Sequence, residues 1–207
     1  SLGLILCVVL GGELFTSTTL TLVARAANRI TWGQMLKNWV IVYFGNLVGG
    51  LIMVALIMLS SEYTSGNGQW GLTALNVAQH KIHHTFVEAV ALGILCNLMV
   101  CLAAWMAFGG RTMTDKALIM VLPVAMFVAS GFEHSIANMF MIPVGIAIQT
   151  FAGPEFWQAI AMDPAKYADL TLGHFIVNNL IPVTIGNIIG GGVMIGLTNW
   201  FIFRRHH

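Results

Sequence analysis

The stretch "VASGFEHSIANMF", residues 128–140, sets a carboxylate and an imidazole side by side, Glu133 and His134, with hydroxyls at Ser130 and Ser135. Serine, histidine and glutamate together are the side chains of a hydrolase. An imidazole beside an acid is also a group that can give a weak acid a hydrogen bond or a proton. The hydrolytic reading fails on spacing, because neighbours on one turn rarely converge on a common point and the chain has no G-x-S-x-G elbow. His134 remains as a donor, since imidazole titrates near neutrality and is pulled either way by its surroundings. Its flanks, "ALIMVLPVAMFVA" and "FMIPVGIAI", are apolar, and an ionisable pair inside such a run is functional by default.

The elements that position this pair must lie in a bilayer. Hydrophobic residues make up 57% of the chain and charged ones 8%, and the mean hydropathy is +0.83. Crossing the hydrocarbon takes roughly 20 helical residues. Residues 33–60, 86–109, 116–148 and 173–203 are long enough, and 1–26 reads as one interrupted crossing. Cys7, Cys96 and Cys101 fall inside these spans as small apolar residues, with no disulfide or metal cluster expected. No cofactor is expected either, and a net charge of +1 without a basic run argues against nucleic acid.

Basic residues are retained on the cytoplasmic side. Arg25, Arg29 and Lys37 flank one connection, Arg111 and Lys116 another, and Arg204 and Arg205 the C-terminus, which is therefore expected inside. The alternate connections, with Glu62 and then Glu155, Asp163 and Asp169 against Lys166, face out. Parity puts Ser1 outside, so a cytoplasmic N-terminus implies one further helix upstream. His206 and His207 are given no role.

An internal repeat orders the whole. "NWVIVYFGNLVGGLIMVAL" from Asn38 matches "NLIPVTIGNIIGGGVMIGL" from Asn179 at a constant offset of 141 residues, pairing Asn46 with Asn187. By the order of crossings the copies run in opposite directions, the inverted repeat of transport proteins. The crossing before each copy is interrupted, at "GGELFTSTT" (11–19) and "SGFEHSIAN" (130–138), which match in kind: glycine, then glutamate, then small hydroxyl residues. Thr16, Ser17 or Thr18 in one and Ser135 in the other are expected N-caps of new half-helices. Unwound backbone at membrane depth must line protein or a wet cavity, and half-helix N-termini favour an anion.

"GFEHSIANMF", "ELFTSTTL", the paired "GN" helices and "NWVIVYFGNLVGG" together closely resemble the formate/nitrite transporter family, over essentially the whole chain. The resemblance implies an all-α integral membrane protein with an aquaporin-like inverted repeat and two broken helices. It implies a homopentamer with a pore in each protomer. Of the family's six helices about five are present, in one channel domain, 1–207, with a truncated first half to about residue 60 and a second from about 86. His134 becomes the central pore histidine, Thr16 the hydroxyl facing it, and Asn97 and Asn187 members of the surrounding hydrogen-bond network. Leu14 and Phe127, with Leu4 in the same ring, match apolar constrictions, and Lys81 in "AQHKIHHTF" would draw anions into the outer vestibule.

Glu133 beside an anion path would repel its cargo, so it is expected to turn away and be held by backbone donors or by Lys81. Glu88 is expected to cap its helix or to pair with a histidine of "HKIHH", and "ANMFMIP" to be packing. The implied activity is passive or proton-linked transport of formate and similar small monovalent anions through a bacterial inner membrane, not catalysis. Nitrite and hydrosulfide are the alternatives within the family. A water or glycerol pore of the aquaporin type fits the architecture, but this chain has no Asn-Pro-Ala at either turn.

Overall fold

The computed structural model describes residues 2–203. Ser1, Arg204, Arg205, His206 and His207, on which part of the expected sidedness rests, lie outside the described residues. All regular structure among the described residues is helical. Helix α1 (Leu2–Leu10) bends by 58° into the short helices α2 (Phe15–Thr18) and α3 (Thr21–Ala26). After them come α4 (Trp32–Leu59), α5 (Gln69–Ile82) and α6 (Phe86–Ala107). Helices α7 (Met113–Ala129) and α8 (Ser135–Phe151) form the second broken pair, and α9 (Pro154–Ala159) leads to the last rod, 172–203.

That rod is not uniform. It begins as α10 (Leu172–His174) and passes through wide π turns at Phe175–Leu180. It then tightens to α11 (Ile181–Asn187), widens again over Ile188–Leu197, and ends as α12 (Thr198–Phe203). Pro182, which supplies no amide to the turn before it, marks the first return to α geometry. Helices α4, α6 and the last rod are long and apolar enough to span a membrane, and the bent α1–α3 pair makes a fourth span. The protein is therefore a multi-pass, all-helical membrane protein.

Three helices open with the same device. Thr31 with Gln34, Thr85 with Glu88, and Thr112 with Asp115 each form a reciprocal capping box, in which the threonine oxygen takes the amide three residues on and the longer side chain takes the threonine amide. Of the two expectations for Glu88, the cap is the one realised.

Small residues then set how closely the helices approach. A Cβ on Gly186 would stand 2.2 Å from the Val90 carbonyl oxygen, and one on Gly190 2.3 Å from that of Ile94, so α6 and the last rod touch backbone to backbone. The repeat counterparts Gly45 and Gly49 on α4 have nothing within 4 Å. The two copies meet directly: Tyr43 and Thr184, which occupy the same place in each, share a hydrogen bond of 2.8 Å between their hydroxyls.

Helix α5, in the connection between the expected spans 33–60 and 86–109, packs Leu75, Ala78 and Ile82 against α8. Its outward face joins the segment before the last rod. Gln79 donates to Asp169 at 3.0 Å and to the Lys166 carbonyl at 2.7 Å, Tyr167 donates to Asn76 at 2.7 Å, and His83 pairs with Asp169. These two acidic connections therefore lie on one side of the molecule, as the charge pattern required. Burial works against the Asp169 charge, but the bonds from Gln79 and His83 outweigh it and hold this carboxyl below its ordinary range.

Candidate functional site

Both breaks are built alike. The chain leaves α1 through Gly11 at φ +73° and leaves α7 through Gly131 at φ +68°, a left-handed turn open to glycine at no steric cost. Two residues on stands a glutamate, Glu13 or Glu133. In the first break Asn46 accepts from the Phe15 amide (2.9 Å) and donates to the Glu13 carbonyl (3.1 Å), while Asn38 donates to the Glu13 carboxylate (2.8 Å). In the second, Asn187 accepts from the Ser135 amide (2.9 Å) and donates to the Glu133 carbonyl (3.1 Å), while Asn179 donates to the Glu133 carboxylate (3.0 Å). The asparagines shared by the two repeated helices are thus the clamps that satisfy unwound backbone where water cannot. Under this correspondence the partner of His134 is Leu14.

These bonds correct the expected caps. Thr16, Ser17 and Thr18 do not cap α2; Leu14 precedes it without a side-chain cap, and the Asn46 amide oxygen serves instead. Ser135 does not cap α8 either. His134 does, its Nδ1 accepting the Ala137 amide at 3.0 Å. The consequence is chemical. With its Nδ1 lone pair engaged by an amide, the neutral ring carries its proton on Nε2. That nitrogen lies 3.1 Å from Thr16 Oγ1, so histidine and threonine meet across the two breaks as the sequence reading expected. Helix α2, four residues long, brings no appreciable dipole to this point, so only α8 contributes one.

His134 is 7% exposed and borders a cavity of about 730 Å³. Leu4, Leu14 and Phe127 line the same cavity, and Phe127 stacks on the imidazole with ring centroids 5.7 Å apart. Val100 and Val124 extend this apolar wall; sequence reasoning passed over them because a valine in a span carries no distinguishing signal. Thr16, Asn97 and Asn187 are fully buried and do not line the cavity. Asn97 holds the network from behind, donating to the carbonyls of Thr16 (3.0 Å) and Asn187 (2.6 Å).

Glu133, 1% exposed, does turn to a lysine. The Lys81 ammonium, 12% exposed, donates to Oε1 at 2.7 Å. The other carboxylate oxygen accepts from Asn138 at 2.6 Å and from Asn179 at 3.0 Å, and Asn179 also donates to the Lys81 carbonyl at 2.9 Å. A buried charge is tolerated when it is paired and its remaining lone pairs are filled. Asn138 was missed as a partner, although it stands inside the motif itself. Glu133 does not turn away from the cavity as expected but borders it together with Lys81, so the polar end presents a neutral ion pair that offsets the repulsion.

A family model described as formate/nitrite transporter matches residues 1–201. Formate channel FocA of Escherichia coli K12 is 67% identical over 210 residues, covering 100% of this chain and 74% of that protein. FocA of Haemophilus influenzae is 61% identical over 206 residues, covering 100% and 72%. A solved pentameric formate channel with formate bound superposes with a TM-score of 0.92 at 54% identity, over 97% of this chain and 79% of that one. The chain belongs to the formate/nitrite transporter family, as a transmembrane channel and not an enzyme.

Proposed function

We propose that this single channel domain conducts formate and similar small monovalent anions, as a homopentamer with one path per protomer, across a bacterial inner membrane with the C-terminus in the cytoplasm. The observation that carries the reading is the His134 ring, fixed with its Nε2 proton towards Thr16 beside the apolar end of the cavity. A bare anion among Leu4, Leu14 and Phe127 loses its hydration without return and should stall. At His134 it meets the Nε2 proton, which at rest is given to the Thr16 oxygen buried just behind the cavity wall. Formate, hydrosulfide and nitrite share small size and single charge; the relatives named for formate support formate first.

The ring gives a hydrogen bond more readily than a proton. A second proton, on Nδ1, would displace the Ala137 amide and uncap α8. This supports passive conduction over proton-linked transport. Lys81, at the polar end of the cavity, is the candidate for gathering anions in the outer vestibule, and the basic connections at 25–37 and 111–116 support the assigned sidedness.

Uptake of each anion into vesicles holding the reconstituted protein, under an imposed pH gradient, tests this. His134→Phe should lower formate flux about tenfold to a hundredfold, the weight of one lost charge-assisted hydrogen bond. Unchanged flux and unchanged pH response in His134→Asn and His134→Phe would refute the assignment. Accumulation of formate against its own gradient, driven by protons alone, would replace passive flow with coupled transport.

A further inference from the structure

His84, between α5 and α6, lies at the Glu133 carboxylate without being bonded to it. Its Nε2 is 3.7 Å from Oε1, the oxygen that Lys81 already holds. The side chain is 16% exposed, yet this nitrogen is buried and has no hydrogen-bond partner. The charged and titratable groups facing it come from three directions: His80 and Lys81 from α5, Glu133 from the second break, and Glu88 from the first turn of α6. The His80 ring meets it edge-on, with centroids 4.9 Å apart. Asn138 and Asn179, which fill the far carboxylate oxygen, are neutral. One buried carboxylate oxygen thus has a bonded cation on one side and an unbonded imidazole on the other.

Burial pushes His84 below the ordinary histidine range. Glu133 and, less, Glu88 pull it back up, and the neighbouring His80 and Lys81 push it down again. The ring is therefore neutral near pH 7 and takes up a proton only as the medium becomes acidic.

We propose that His84 is a second, acid-dependent partner of Glu133 that sets the charge of the vestibule. With His84 neutral, Lys81 and Glu133 cancel. With His84 protonated, the carboxylate is shared between two cations, the cluster carries a net positive charge, and the Lys81 ammonium turns from its partner towards the cavity it borders. Anion capture then rises when the outer solution is acid. This rests on the reading of the cavity as an anion path, and Lys81 is its acting group; His84 is a positioning residue.

The test follows initial formate uptake by the reconstituted protein at a fixed outer concentration of the anion, from about pH 7.5 to about pH 5.5. Wild type and His84→Gln should coincide at the neutral end and part by about fivefold at the acid end, the size expected of one added charge a few ångströms from the path. His84→Lys, positive throughout, should show raised uptake already at neutral pH. His134 is present in all three, so its own response cancels. A second readout does not use transport: the side-chain nitrogen resonance of His84 should titrate on acidification, at a higher pH in Lys81→Met, where the opposing cation is gone. Superimposable uptake profiles for wild type and His84→Gln, in a protein that His134→Phe still disables, would overturn the proposal and leave the anion path standing. So would a His84 resonance that does not titrate. Absence of formate uptake in wild type would sink the anion path instead, and the resonance would still decide whether His84 and Lys81 share Glu133.

Discussion

At the scale of single residues, the site is a division of labour between side chains that touch the cavity and side chains that hold those in place. Thr16 has the sharper role, because its hydroxyl is the one neighbour of the His134 Nε2 atom across the breaks. Thr16→Val should therefore lower formate flux about fivefold to tenfold, the worth of about one hydrogen bond, while Thr16→Ser keeps most of it. Equal flux in Val and Ser variants, measured in vesicles, would remove Thr16 from the positioning of His134. The Lys81–Glu133 pair was legible from the sequence, since a carboxylate inside a span demands a cation and this chain has nine basic residues in all. The tautomer of His134 was not legible. It depends on which atom caps α8, and cap preferences point to the adjacent serine; only the fold shows the imidazole taking that amide.

At the scale of elements, the asparagine clamps and the glycine contacts decide whether the breaks survive. Asn187→Leu strips partners from the Ser135 amide and the carbonyls of Gly93 and Glu133, all deep in the protein. It should destabilise the fold by about 2–4 kcal/mol, read as a drop in the thermal midpoint of the detergent-solubilised protein. Gly190→Ala should be as harmful, because the Ile94 carbonyl lies 2.3 Å from where its methyl would go.

Asp169, linking α5 to the last rod's approach, supplies a pH-dependent element. Its folded carboxyl is depressed, so its contribution is present above the unfolded value of about 4 and fades as pH falls through the lower folded one. Asp169→Asn should thus melt earlier than wild type near neutrality, with the gap closing only in strong acid. The repeat, and with it these asparagines and glycines, stood plainly in the sequence. Helix α5 did not, because its apolar residues, Leu72, Leu75, Ala78 and Ile82, alternate with glutamine, asparagine and histidine in a segment too short and polar to span a membrane. It is a helix that only its packing on α8 explains.

At the scale of the whole molecule, the exposed apolar face of α4, with Ile41, Phe44 and Ile52, suits lipid or a neighbouring protomer. The proposed pentamer predicts a native mass of five protomers. The hydroxyl contact between Tyr43 and Thr184 bears on how solute moves. A carrier that rocks its halves must part the bonds between them in every cycle, and here the two repeats are bonded through their own two equivalent residues. Transit should then leave both halves still, like water through an open tap and not like passengers in a revolving door. Loading vesicles with unlabelled solute should accordingly give no acceleration of labelled solute entering from the other side.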